Sequence, residues 1–131
     1  MTALRLEERF IHLGLGARAV EQPPFTGMDW YEAYGARHDD DGVEGRLVSQ
    51  YAFTESWTSW EMHPAGDEVV ICIAGAMVLL QEDAQGNLTR VPLAAGDYAI
   101  NPAGVWHTAD IAESATAIFI TAGEGTQHRP R

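Results

Sequence analysis

The sequence predicts a single all-β domain of jelly-roll type, and three observations carry that reading. From Gly42 onward, short runs rich in Val, Ile, Leu, Thr, Tyr and Trp recur at regular spacing. Clusters of Gly, Pro, Asp and Asn separate them, the residues that tight turns demand. Eight such runs fill the span, the number a double-sheet jelly roll uses.

The predicted strands are 45–53, 57–63, 68–73, 76–82, 88–93, 97–101, 105–111 and 115–121. Between them lie Pro64-Ala-Gly66, Gly75, Asp83-Ala-Gln-Gly-Asn87, Ala95-Gly96 and Pro102-Ala-Gly104. Residues 1–40 read as a front extension with its own character, and 41–122 as the barrel. Pro23-Pro24 breaks any regular element in the extension, and Asp29–Tyr34 fits a short helix or a strand equally. Asp39-Asp-Asp-Gly42 reads as a solvated turn. The alternative, a calcium loop, lacks the spaced acidic ligands and distal Glu of an EF-hand. Residues 123–131 form a polar, glycine-rich tail expected at the surface or an interface.

Composition bounds the function. At 131 residues one domain is expected, long enough to bury a core. Hydrophobic residues make up 46% and charged residues 21%, ordinary values for a globular chain. No apolar run approaches the roughly 20 residues that span a bilayer, and Met1–Glu8 lacks the apolar stretch of a secretory signal. The expected location is therefore cytoplasmic. The formal charge is −11, and all eight basic residues are arginine. That balance argues against nucleic acid and membrane surfaces as partners. The lack of lysine excludes Schiff-base chemistry on a side-chain amine. Cys72, the single cysteine, sits in the apolar run Val69–Ile73 and reads as an inert core residue. There is no Gly-x-Ser-x-Gly elbow, and Gly14-Leu-Gly16 lacks the context of a phosphate loop.

Two stretches carry chemistry. In Glu61-Met-His63-Pro-Ala-Gly-Asp-Glu68, alternation along a strand turns Glu61 and His63 to one side. The Pro-Ala-Gly-Asp turn then brings Glu68 back beside them. In Gly96-Asp-Tyr-Ala-Ile-Asn-Pro102-Ala-Gly104-Val-Trp-His107, a Pro/Gly turn presents His107 at the start of a strand. Two carboxylates and two imidazoles converging on one volume need compensation, and a divalent ion is the simplest form of it. Mn²⁺, Fe²⁺, Ni²⁺ and Zn²⁺ all accept such mixed nitrogen and oxygen ligands. A metal-free pocket, with Glu61 hydrogen-bonded to His63 or His107, is the other reading of the same residues.

These stretches resemble the paired motifs of the cupin superfamily. The second matches in full from Gly96 through Pro102 and Gly104 to His107, with Ile111 where members often carry Asn. The first keeps His63, Glu68 and Gly75 at the expected spacing, but Glu55 replaces its leading glycine and Glu61 its first histidine. The resemblance implies a double-stranded β-helix, or jelly-roll, barrel with metal ligands at Glu61, His63, Glu68 and His107. Asp67 is the substitute for Glu68 if the turn shifts by one residue.

By strand parity Trp57 and Ser59 join Glu61 and His63 in lining a pocket, and Cys72 joins Glu68. Trp106 reads as pocket or core, while Phe53, Trp60, Ile118 and Phe119 read as core. Arg46 favours a carboxylate substrate if it points inward and is a surface charge otherwise. His12, His38 and His128 lie outside the motifs and are expected at the surface. The function expected is a metal-dependent enzyme on a small organic molecule, with Glu61 or Glu68 as general base. The alternative is a non-catalytic small-molecule binding module. A homodimer is expected, since an open jelly roll has sheet edges to cover.

Overall fold

The computed structural model describes residues 1–131. Ten strands, β1 (Ile11–Leu13), β2 (Ala19–Glu21), β3 (Arg46–Phe53), β4 (Ser59–Met62), β5 (Glu68–Glu82), β6 (Leu88–Ala94), β7 (Tyr98–Asn101), β8 (Trp106–Asp110), β9 (Ala115–Thr121) and β10 (Gln127–Pro130), join one helix, α1 (Asp29–His38). One face sheet runs β2-β1-β3-β9-β5-β7 and the other β10-β4-β8-β5-β6, all antiparallel. This is the predicted jelly roll. No helix is long and apolar enough to cross a membrane.

The two predicted strands 68–73 and 76–82 are one. β5 spans 15 residues, pairing β7 and β9 with its first half and β6 and β8 with its second. A register shift between Cys72 and Ala74 turns it from one sheet into the other. Gly75 permits the turn. Its φ is +67°, and a Cβ there would lie 2.1 Å from the Ser114 carbonyl oxygen, so no other residue fits.

Alternation fills the space between the sheets. Val70, Cys72, Leu79, Ala109, Ala117 and Phe119 form the centre of the main core. Each fully buried large apolar side chain contributes roughly 1.5–3 kcal/mol. A second cluster, Phe10, Trp30 and Leu47, fastens the front segment to the barrel, with Phe25, Tyr31 and Tyr34 packed on it. Tyr51 touches both clusters and joins them.

Asp29–Tyr34, ambiguous in sequence, is helical, with Asp29 and Glu32 in the first turn and Arg37 and His38 in the last. Those charges suit the helix dipole. Asp39–Glu44 forms a tight 3₁₀ turn in which Gly42 takes a positive φ. The tail is not merely surface, because β10 pairs along β4 and sets His128 opposite Glu61.

Candidate metal centre

Three strands and one turn build the site. Glu61 on β4 lies directly opposite His107 on β8. His63 follows β4, and its carbonyl accepts a 3.0 Å hydrogen bond from the Gly104 N–H. The two motif turns are tied again by Asp67, whose carboxylate accepts from the Ala103 N–H at 2.8 Å. Asp67 therefore braces the turns and does not replace Glu68. Glu68 opens β5 and is 3% exposed, with His63 at 6% and His107 at 0%.

The partners of the two ring Nδ1 atoms fix the tautomers. Thr126 donates its only hydroxyl proton to the Gly123 carbonyl at 2.8 Å, so toward His63 Nδ1, also at 2.8 Å, it accepts. His107 Nδ1 faces the Val105 carbonyl at 3.3 Å, which likewise only accepts. These partners assign the proton to Nδ1 in both rings and leave both Nε2 lone pairs directed inward. Both Nε2 atoms are buried without a hydrogen-bond partner. Glu68 oxygens stand 3.1 Å from His63 Nε2 and 3.2 Å from His107 Nε2, close but outside hydrogen-bond alignment. Lone pairs facing a carboxylate at that range call for a cation or added protons between them.

Glu68 is held through both oxygens, each with a lone pair to spare. Thr121 donates to one of its oxygens at 2.6 Å and Asn101 to the other at 3.1 Å. Asn101 is itself held by the Gln81 amide at 2.8 Å. Burial favours the neutral acid, yet when added protons on Nε2 take the place of a cation, His107 and His63 hold the Glu68 carboxyl well below the usual carboxylate range. For His63, burial opposes the imidazolium, but contact with Glu68, and then Glu61, outweighs it and raises the pKa. Glu61 stands 3.8 Å from His63 Nε2 and 3.9 Å from His107 Nε2. His128 reaches it from β10 at 3.3 Å. Buried, unpartnered imidazole nitrogens beside two carboxylates fit a divalent cation, and Glu61, His63 and His107 place one ligand atom each within 4.8 Å of one another.

The site opens into a cavity of about 780 Å³ lined by Trp57 and Ser59 but not by Cys72 or Trp106. Cys72 shares Glu68's face but lies two residue pairs deeper, fully buried in the core. Trp106 alternates with His107 and so turns outward, where Arg129 covers its ring at 4.6 Å. Arg46 is exposed on β3 and does not line the cavity. Phe53, expected in the core, also lines it, as does Phe119.

His12, expected at the surface, is 1% exposed. Its Nε2 lies 2.6 Å from the Asp41 carboxylate and its Nδ1 2.6 Å from the Tyr34 hydroxyl. His12, His38 and Asp41 form a second such group, whose two histidines line the same cavity. Each His12 nitrogen is already engaged, and Arg18 stands 3.6 Å from Asp41, so the cluster braces the front segment.

The Cupin domain family model matches residues 51–127, more than half of the chain. The protein is a cupin. No curated protein matches it. Among solved structures, peruvianin-I, a cysteine peptidase of Thevetia peruviana latex, is similar over 63% of this cupin and 54% of its own chain, at 19% identity and a TM-score of 0.53. An oxalate oxidase is similar over 62% and 44%, at 14% identity and a TM-score of 0.54. Hydroquinone 1,2-dioxygenase from Sphingomonas sp. TTNP3, with 4-hydroxybenzoate bound, is similar over 58% of each chain, at 13% identity and a TM-score of 0.50. The cupin thus spans about half the length of these relatives. Such likeness shows the fold alone, and three different chemistries on it illustrate why the site must carry the function.

Proposed function

We propose that this cupin is a metal-dependent enzyme acting on a small organic molecule, with Glu61, His63, Glu68 and His107 as the metal ligands. The observation that carries the reading is the pair of buried Nε2 atoms with no hydrogen-bond partner, facing carboxylates. A bound Mn²⁺, Fe²⁺, Ni²⁺ or Zn²⁺ would supply Lewis acidity or, for a redox-active ion, reaction with O₂.

The protein's own groups do the rest. Thr126 and the Val105 carbonyl fix both imidazoles in the tautomer that leaves Nε2 free. Asn101 and Thr121 anchor Glu68, which leaves it no freedom to move a proton. Glu61 is the less buried carboxylate; with Oε2 on the side of the two imidazoles, its Oε1, 3.3 Å from the exposed His128, is the oxygen left to accept a substrate proton. Two of the structural relatives are by name an oxalate oxidase and a dioxygenase, which makes O₂ uptake the first assay for an iron or manganese form.

Elemental analysis of untagged protein, purified without added metal, tests the proposal. Near-stoichiometric transition metal, lost in the Glu61→Ala/His63→Ala variant, is the expected result. Protein that stays metal-free after challenge with Mn²⁺, Fe²⁺, Ni²⁺ and Zn²⁺ leaves the same cavity as that of a binding module and refutes the enzyme reading.

A further inference from the structure

The cavity walls carry information that the ligand set does not. Its apolar surface is aromatic, with Phe25 and Tyr31 from the front segment facing Tyr51, Phe53, Trp57 and Phe119 from the barrel. The Tyr31 and Tyr51 hydroxyls bond each other, which uses one of their two protons. Trp57 differs: its Nε1–H is buried and has no partner. Donors buried in that state are rare in native proteins, and because Trp57 lines the cavity a small shift of its ring would offer this one to an oxygen on whatever enters.

Charge sets a second condition. Glu32, Asp39 and Glu124 join Glu61 and Glu68 in the lining, and no arginine is among the residues that line it. A divalent ion held by two carboxylates and two neutral imidazoles has no net formal charge, so even the loaded centre offers an anion no charge to offset these acids. The glutamate at position 61 makes that difference, since a histidine there would leave the centre one unit positive.

We propose that this cavity takes a flat, uncharged ligand carrying an oxygen acceptor, of the phenol or aryl-alcohol class, and turns carboxylates away. The proposal rests on reading the cavity as the substrate site. Aromatic walls hold a ring by stacking and edge contacts. The Trp57 N–H orients it by one hydrogen bond, and the acidic lining repels anions.

Three probes of nearly one shape test it by ligand-detected NMR: 4-hydroxybenzyl alcohol, 4-hydroxybenzoate and the saturated 4-(hydroxymethyl)cyclohexanol. Each is titrated into the protein as purified and into chelator-treated protein. The aryl alcohol should bind about tenfold or more tightly than either other probe in both preparations, the gap to the carboxylate narrowing with added salt. Glu32→Gln/Glu124→Gln, on the exposed rim, should tighten 4-hydroxybenzoate and leave the alcohol unchanged. Trp57→Phe should weaken the alcohol about fivefold. Carboxylate affinity equal to that of the alcohol, equal binding of the saturated probe, or no binding of the alcohol overturns the proposal. Selectivity retained by a protein that holds no metal upholds it and removes only the metal-centred reading.

Discussion

Thr126→Val isolates the second layer of the proposed centre. Thr126 sits beyond the ligands, yet its hydroxyl fixes the proton of His63 on Nδ1 by accepting from it at 2.8 Å while donating to Gly123. Valine keeps the shape and removes the acceptor. The lost hydrogen bond costs about 1 kcal/mol, and the buried Nδ1–H left unpaired about 1–3 kcal/mol. The ring can escape that penalty by moving its proton to Nε2, the nitrogen directed at Glu68, which blocks ligation. Removing such orienting partners typically lowers metal affinity about 10–100-fold. The assay is competition against a chromophoric chelator, with far-ultraviolet circular dichroism to confirm the fold. Thr126→Ser restores the hydroxyl and should restore affinity. Unchanged affinity in the valine variant refutes the tautomer argument, and equal losses in both variants reduce Thr126 to a packing residue.

Gly75→Ala should destabilise the barrel by about 3 kcal/mol or more, because it adds left-handed strain of roughly 1–2 kcal/mol to a backbone clash 2.1 Å from the Ser114 oxygen. A denaturant midpoint change worth less than about 1 kcal/mol would show that β5 does not need its glycine. Alkaline pH should titrate the tyrosines where the front segment meets the barrel. Burial, with the Asp41 and Asp39 carboxylates behind it, pushes the Tyr34 hydroxyl up to about 12, and burial likewise raises Tyr31 and Tyr51. The unfolded chain releases these protons near pH 10 while the folded chain retains them. Stability should therefore hold below about pH 10 and fall as pH climbs toward about 12, less steeply in Tyr34→Phe. A urea midpoint that stays flat across that range contradicts the linkage.

The barrel was legible because its strands are short and punctuated by residues with fixed conformational meaning. Pro102 and Gly104 mark a turn that the structure places between β7 and β8, and Gly104 takes the positive φ of +78° expected of it. Gly75 misled the strand boundaries because the same positive φ that ends a strand elsewhere here bends one through a bulge. Glu61, His63, Glu68 and His107 were readable because they sit on two local motifs. Their supports were not. Thr126 and His128 reach the site through β10, whose pairing with β4 bridges more than sixty residues of sequence. His12 looked like any isolated histidine, since the partners that bury it, Tyr34 and Asp41, are 22 and 29 residues away. Trp106, read as pocket or core, is neither, because alternation turns it away from the face of His107.

The cavity is assembled from two parts of the chain, one inside the span that matches the family model and one outside it. Every proposed metal ligand lies within residues 51–127, the span that matches the family model. Phe25, Tyr31, Tyr34 and His38, on the facing wall, lie outside it. Substitutions in α1 can therefore reshape what the barrel admits while the ligand strands keep their sequence. In engineering terms the front segment is a graftable faceplate. Exchanging residues 1–44 between cupins that share this barrel would transfer selectivity, provided that the receiving barrel keeps Leu47 to meet the incoming Phe10 and Trp30.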